Sequence, residues 1–216
     1  MHKEFERPED KNMLDDREAA GLWKAIALSK EIGEDTRVLD LGVVLDLHLK
    51  IFIEAMPEIA GRFRKAGEDV KKLACIEPPL GIAVPEKIHG FEKDLIYKIT
   101  QIAARPDPNH KKQYKRWVES VFDLAAWTQH KLVAIHPFCE GNGRVARLMT
   151  NVILRRFHMP PTDVKMESDE KPKYINALCQ IDNHGDYEPL RTLLLRGSIA
   201  TLNKEKERRQ IKQAVK

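Results

Sequence analysis

The sequence predicts an all-α domain, a helical bundle carrying one short β-hairpin. Three observations predict it. Apolar residues recur at steps of three and four through most of the chain, strict alternation is nearly absent, and only one long stretch mixes several prolines and glycines between short apolar pieces. A first helix follows from Leu14, Glu18, Leu22 and Ile26, and a second from Val38, Leu41, Leu45, Leu49 and Phe52. "CIEPPLGIAVPEKIHGF", Cys75 to Phe91, holds three prolines and two glycines and reads as a loop or short β-hairpin exposed between helices. Trp117, Val121, Leu124, Thr128, Leu132 and Ile135 describe a long helix that Pro137 ends, because a proline pushes the residue before it out of the α region. Val145, Leu148, Met149, Val152, Ile153 and Phe157 restart the period just after Gly143. "HMPPTDVKMESDEKPK" reads as a loop, "YINALCQIDNHGDYEPLRTLLLRGSI" as one or two helices, and "NKEKERRQIKQAVK" as a solvated charged tail.

A chain of 216 residues supports one well-buried core. Its 42% hydrophobic and 32% charged residues fit a globular protein and exclude a disordered one. The net charge of +4 is spread along the chain, and the basic run "KKQYKR" reads as a wet helix start, so nucleic acid is not expected as a partner. No apolar run approaches the ~18 residues of a membrane helix, and the N-terminus has no signal-peptide core, so no membrane association is expected. Cys75, Cys139 and Cys179 are odd in number and far apart, which predicts reduced thiols and a cytoplasmic setting.

The chemistry concentrates in "AIHPFCEGNGRVARL", Ala134 to Leu148. It joins two helices, with its glycines at the entry of the second. A helix N-terminus leaves its first amides unpaired and carries partial positive charge, so the backbone from Gly141 to Arg144 can bind a phosphate. Arg144 and Arg147, three apart on one face, can grip further phosphates of a di- or triphosphate. Glu140 suits Mg²⁺, which takes one or two carboxylates plus substrate phosphates. His136, with an ordinary pKa of ~6.5, suits a general base near neutral pH. Asn142 offers an uncharged amide donor to a phosphate oxygen. Phe138 is expected to plug the core, and Cys139 to be structural.

"HPFCEGNGR" followed by Arg147 resembles the signature of Fic-domain proteins, His-Pro-Phe-x-Asp/Glu-Gly-Asn-Gly-Arg-x-x-Arg, at every defined position. "LHLKIFIEAMPEIAGRFR", Leu47 to Arg64, resembles an early family helix with its Ala-Gly-x-Phe-Arg turn, and "YINALCQIDNHGDYEPL" the closing helices. The likeness spans roughly Val38 to Leu195, which leaves 1–37 as an N-terminal helical extension and 196–216 as a charged C-terminal helix or tail. The resemblance implies an all-helical Fic fold that transfers AMP from ATP, with Mg²⁺ as cofactor, to a Ser, Thr or Tyr hydroxyl of a target protein. It implies His136 as base, Glu140 as metal ligand, and Asn142 with the Gly141 and Gly143 amides as the α-phosphate pocket. It further implies Arg144 and Arg147 on the outer phosphates, Tyr174 and Asp182 in the nucleoside pocket, and Cys75–Phe91 as a flap that aligns the target by strand addition.

Other readings of this resemblance stay open: another nucleotide, removal of AMP, or a nucleotide-binding module without turnover. Doc-type kinases resemble the motif but carry lysine where this chain has Gly143, which favours nucleotidyl transfer here. Many family members resemble one another in a self-inhibitory helix, Ser/Thr-x-x-x-Glu-Gly/Asn. Only imperfect versions occur, offering Glu34 in "SKEIGE" and Glu205 in "TLNKEK". Arg147 is therefore expected to be free, or restrained by an inhibitory partner protein.

Overall fold

The computed structural model describes residues 11–72, 74–162 and 170–214. Seven helices make up the described chain: α1 (Lys11–Glu34), α2 (Leu41–Phe52), α3 (Val84–Gln101), α4 (Lys111–Ile135), α5 (Asn142–Arg156), α6 (Glu170–His184) and α7 (Glu188–Ala214). The protein is all-α, and α4 and α5 form its centre. α1 and α2 pack together on one side, α1 also crosses α5, α3 and α7 flank α4, and α6 lies against α7.

Local chemistry explains the boundaries. Asp40 caps α2, its carboxylate accepting from the Val43 amide at 3.3 Å. Pro85 occupies the first turn of α3, where a missing N–H costs nothing. Gly185, with φ of 69°, separates α6 from α7. Gly21 sets the spacing of α1 on α2, because a Cβ there would come within 2.2 Å of the Ile51 carbonyl oxygen. The predicted stripe of α4, Trp117, Val121, Leu124, Thr128, Leu132 and Ile135, is buried throughout. The corresponding stripe of α5 closes on it through Val145, Leu148, Met149, Val152 and Ile153.

Two expectations are corrected. The stretch Cys75–Phe91 is not a hairpin among the described residues: Ile76 alone makes a bridge pair, Gly81–Ala83 is a 3-10 turn, and α3 begins at Val84. The prolines that suggested a turn instead serve as a helix start. Cys75 and Cys179 are disulfide-bonded with Cα atoms 5.6 Å apart, and Cys139 is the free thiol among the described residues. Their separation of 104 residues carries no spacing signal, since only the docking of α6 brings them together. The cytoplasmic expectation thereby loses its argument from reduced thiols. The tail is helical to Ala214 and exposed, and α7 runs unbroken across residue 196. Residues 163–169 of the predicted loop lie outside the described residues. No helix among those described is long and apolar enough to cross a membrane.

Candidate active site

The joint between α4 and α5 is held from below by two buried side chains. His48 of α2 stacks on Phe138, ring centroids 3.8 Å apart and planes 3° from parallel. Its Nε2 lies 3.1 Å from the Glu140 carbonyl, and its Nδ1 accepts from the Gly61 amide at 3.0 Å. A carbonyl only accepts, so Nε2 carries the proton and the ring is neutral. Burial lowers its pKa from 6.5 to about 4. The unfolded chain therefore binds a proton that the native chain does not across that window, and stability falls as pH drops from 6.5. Urea titration should show a loss on the order of 3 kcal/mol by pH 4 from this residue, and a His48→Gln chain should show a shallower pH dependence between those values.

The second support is Arg64, whose side chain is fully buried. Its guanidinium donates to the carbonyls of His136 (2.6 Å), Pro79 (2.5 Å), Ile135 (3.3 Å) and Glu68 (3.4 Å), while its amide donates to the Pro137 carbonyl at 2.8 Å. One side chain thus ties the C-terminus of α4 to the segment preceding α3.

His136 ends α4 in the left-handed region, φ 50° and ψ 58°, a conformation that histidine tolerates better than most residues. That turn directs its carbonyl to Arg64. Its Nδ1 lies 3.3 Å from the Val133 carbonyl, so Nδ1 bears the proton and Nε2 keeps its lone pair. Burial lowers its pKa, which keeps the ring neutral and basic at physiological pH.

Gly141 opens α5 with φ of 81°, and a Cβ there would fall 2.3 Å from the Phe52 ring, so only glycine fits. The first intrahelical bond runs from the Val145 amide to the Gly141 carbonyl at 3.0 Å, which leaves the amides of Asn142, Gly143 and Arg144 facing out of the helix entry. Glu140 accepts from the Gly141 amide at 2.9 Å. These groups line a cavity of about 350 Å³ with His136, Cys139, Arg147, Lys171, Tyr174 and Leu178. A larger cavity of about 470 Å³ between α3 and α4 includes no residue of the joint.

The arginines differ. Arg144 is bound by Glu18 of α1 and by Glu140 at 3.3 Å, and its guanidinium lies 4.8 Å from the Phe52 ring centroid. Arg147 is partly buried, shares its face with Arg144, and lines the cavity together with Tyr174. A Cβ at Gly143 would come within 3.2 Å of the Arg147 guanidinium, so any side chain there would crowd it.

Residues 38–154, over half of the chain, match the profile of the Fic/DOC family. The chain belongs to that family. It is 27% identical over 194 residues to protein adenylyltransferase Fic of Nematostella vectensis, covering 89% of this chain and 40% of that one. It is 28% identical over 178 residues to protein adenylyltransferase fic-1 of Caenorhabditis elegans, covering 82% and 30% respectively. The chain therefore spans less than half the length of these relatives. The fold is shared with a solved segment of C. elegans Fic-1 (TM-score 0.64, 24% identity, 95% of this chain and 55% of that one). It is shared too with a Fic-domain protein of Bacteroides thetaiotaomicron (TM-score 0.72, 21% identity, 92% and 74%).

Within this Fic fold the other sequence-predicted residues take the following positions. The Asn142 side chain is 3% exposed and wholly occupied, its Oδ1 accepting from the Phe138 amide and its Nδ2 donating to the Phe138 carbonyl, each at 2.8 Å. These two bonds close the loop. Asp182 does not line the cavity; its Oδ1 lies 3.2 Å from His130 Nε2. Tyr174 lines it, with its hydroxyl accepting from Gln129 Nε2 at 2.9 Å. Glu34 and Glu205 lend their charge to Arg155, eight residues beyond Arg147. Burial and the neighbouring Glu68 raise the Cys139 thiol to about 11, consistent with an inert cysteine.

Sequence reasoning missed Glu18, His48, Arg64, Gln129 and Lys171. Glu18 had a signal: a carboxylate in the apolar stripe of α1 must be buried, and a buried carboxylate needs a cation. Arg64 closes the Ala-Gly-x-Phe-Arg turn, which marked its position but not its role, and the other three had no signal of comparable strength.

Proposed function

We propose that this Fic protein transfers AMP from ATP to a Ser, Thr or Tyr hydroxyl of another protein. The observation that carries the reading is the convergence, in one cavity, of a neutral histidine with a free Nε2, three unpaired helix-entry amides and the Arg147 guanidinium. The amides would hold the α-phosphate and Arg147 the outer ones. The acceptor oxygen attacks the α-phosphorus, the α–β phosphoanhydride bond breaks, pyrophosphate leaves, and the hydroxyl proton passes to His136 Nε2. The names of the two relatives, both protein adenylyltransferases, support the same reaction.

Mg²⁺ fits the residues present. Glu140, 38% exposed at its side chain, stands beside the amides, and no cluster of three His, Cys, Asp or Glu side chains occurs among the described residues. One carboxylate suits a cation that arrives with the nucleotide and takes the rest of its ligands from phosphates and water. When bound it would neutralise charge developing on the phosphates. Glu140→Gln should therefore lose most of the Mg²⁺ stimulation of ATP binding while AMP binding without metal stays within about twofold, as titration calorimetry would show.

The acceptor protein is the expected partner. An inhibitory partner would act at Arg147, the grip on the outer phosphates in this reading. Incubation of a lysate with ATP labelled at the α- or the γ-phosphate tests the reaction class. Protein labelled only from the α-position supports adenylyl transfer, label only from the γ-position indicates a kinase, and label from neither favours a binding module.

A further inference from the structure

The Cys75–Cys179 bond joins one wall of the cavity to the segment that Arg64 anchors, and the reaction as described does not use it. Cys179 follows Leu178 on α6, the helix that brings Lys171, Tyr174, Ile175 and Leu178 to the cavity. Cys75 lies in the segment that leads to α3, and that segment is firmly seated. Ile76 is 4% exposed, the Pro79 carbonyl accepts from Arg64 at 2.5 Å, and the Gly81 amide donates to Asp69 Oδ1 at 2.7 Å. The same arginine holds the His136 carbonyl at 2.6 Å. The disulfide therefore fastens the α6 wall to the seat of the proposed base.

The other ties on α6 are noncovalent. Gln129 Nε2 donates to the Tyr174 hydroxyl at 2.9 Å, Asp182 Oδ1 lies 3.2 Å from His130 Nε2, and Ala177, Leu178 and Ile181 are buried. Both hydrogen bonds run to α4, so they keep α6 on the bundle without joining it to the Arg64 segment. A wall held by such ties alone samples more positions, and the cost of fixing them then falls on ligand binding. Both cysteines are half-buried rather than enclosed, so a thiolate from solvent can reach the bond.

We propose that Cys75–Cys179 is a redox strap on the nucleotide cavity: closed, it holds the α6 wall in place, and opened by a dithiol reductant it lowers nucleotide affinity while the fold persists. A thiolate of the reductant attacks one cysteine sulfur, the Cys75–Cys179 bond breaks, and the released sulfur leaves as a thiolate. The reductant's second thiolate then attacks the mixed disulfide. Two electrons pass to the protein, both cysteines take up a proton, and the reductant leaves as its own disulfide. The inference rests on the reading of this cavity as the nucleotide site.

The test titrates ATP with Mg²⁺, and separately AMP, by calorimetry into His136→Ala protein before and after treatment with dithiothreitol, at a temperature where both forms are folded. A gain of two hydrogens in intact mass reports that the bond has opened. The expected result is an affinity for both nucleotides lower by about three- to tenfold after reduction, restored by reoxidation. A Cys75→Ser/Cys179→Ser chain should bind like the reduced protein and ignore dithiothreitol. Hydrogen exchange reads the strap without nucleotide: amides of 170–184 should exchange faster after reduction while those of α4 and α5 stay protected. The unfolding midpoint should also fall on the order of 10 °C, but any structural disulfide would give that. Equal affinities in the two redox forms would overturn the proposal and leave the nucleotide reading standing. So would a double variant that still responds to dithiothreitol, or a loss of helical circular dichroism on reduction, since the bond would then hold the fold rather than the wall. If neither form binds ATP although α6 exchange quickens, the nucleotide reading fails and the claim about affinity fails with it.

Discussion

Replacing His136 with alanine should lower adenylyl transfer by about 10²- to 10⁴-fold while ATP affinity stays within roughly twofold. The separation follows from the geometry. Nδ1 is committed to the Val133 carbonyl, so the ring's one free function is the Nε2 lone pair, whereas the groups proposed to face the phosphates are backbone amides and Arg147 on the other side of the joint. The pH dependence has a definite sign. Burial lowers the His136 pKa, so the basic form persists below the ordinary value near 6.5, and kcat should hold its plateau through neutral pH before falling on the acid side. A rate-against-pH profile measured at saturating ATP reads this directly. An acid limb centred above 6.5 would contradict the assignment.

Arg64→Met should be the most damaging substitution outside the cavity, costing about 3–5 kcal/mol and lowering the unfolding midpoint on the order of 10 °C. Arg64 is fully buried, and its loss orphans the carbonyls of Ile135, His136, Pro79 and Glu68 together. Methionine fills much of the space and donates nothing. Because the His136 carbonyl is among those released, the left-handed turn that presents the imidazole loses its anchor, and kcat should fall at temperatures where the variant is still folded. Calorimetric scans paired with single-turnover rates would show both effects. A variant with an unchanged midpoint and unchanged rate would contradict the role given to Arg64.

How far the sequence reveals this molecule depends on the range of each interaction. The α4 stripe was legible because six positions at helical spacing all face one core. The α4–α5 joint was legible because histidine, glycines and arginines sit within a dozen residues of one another. Asn142 shows the limit of a local pattern: its amide suits a phosphate and a loop closure equally well, and the structure places it on Phe138 with two bonds of 2.8 Å. The Cys75–Cys179 bond, the Glu18–Arg144 pair and the Arg64–His136 bond join residues 104, 126 and 72 positions apart, and no local pattern names any of these partners. Glu18 is the partial exception, since a charged residue on an apolar stripe announces a buried partner without naming it. The Pro-rich stretch misled because proline favours both turns and helix starts, and Pro85 serves the second.

The claim that matters most is that this cavity moves AMP onto protein and that His136 is the base. Intact-mass spectrometry tests it most directly, on the wild-type and His136→Ala proteins and on lysate proteins incubated with each, in the presence of ATP and Mg²⁺. The account predicts an added mass of AMP less one water on a protein in the wild-type reaction, and none with His136→Ala. An adduct of equal abundance with both proteins, an added phosphate in its place, or tight ATP binding with no adduct on any protein would contradict it.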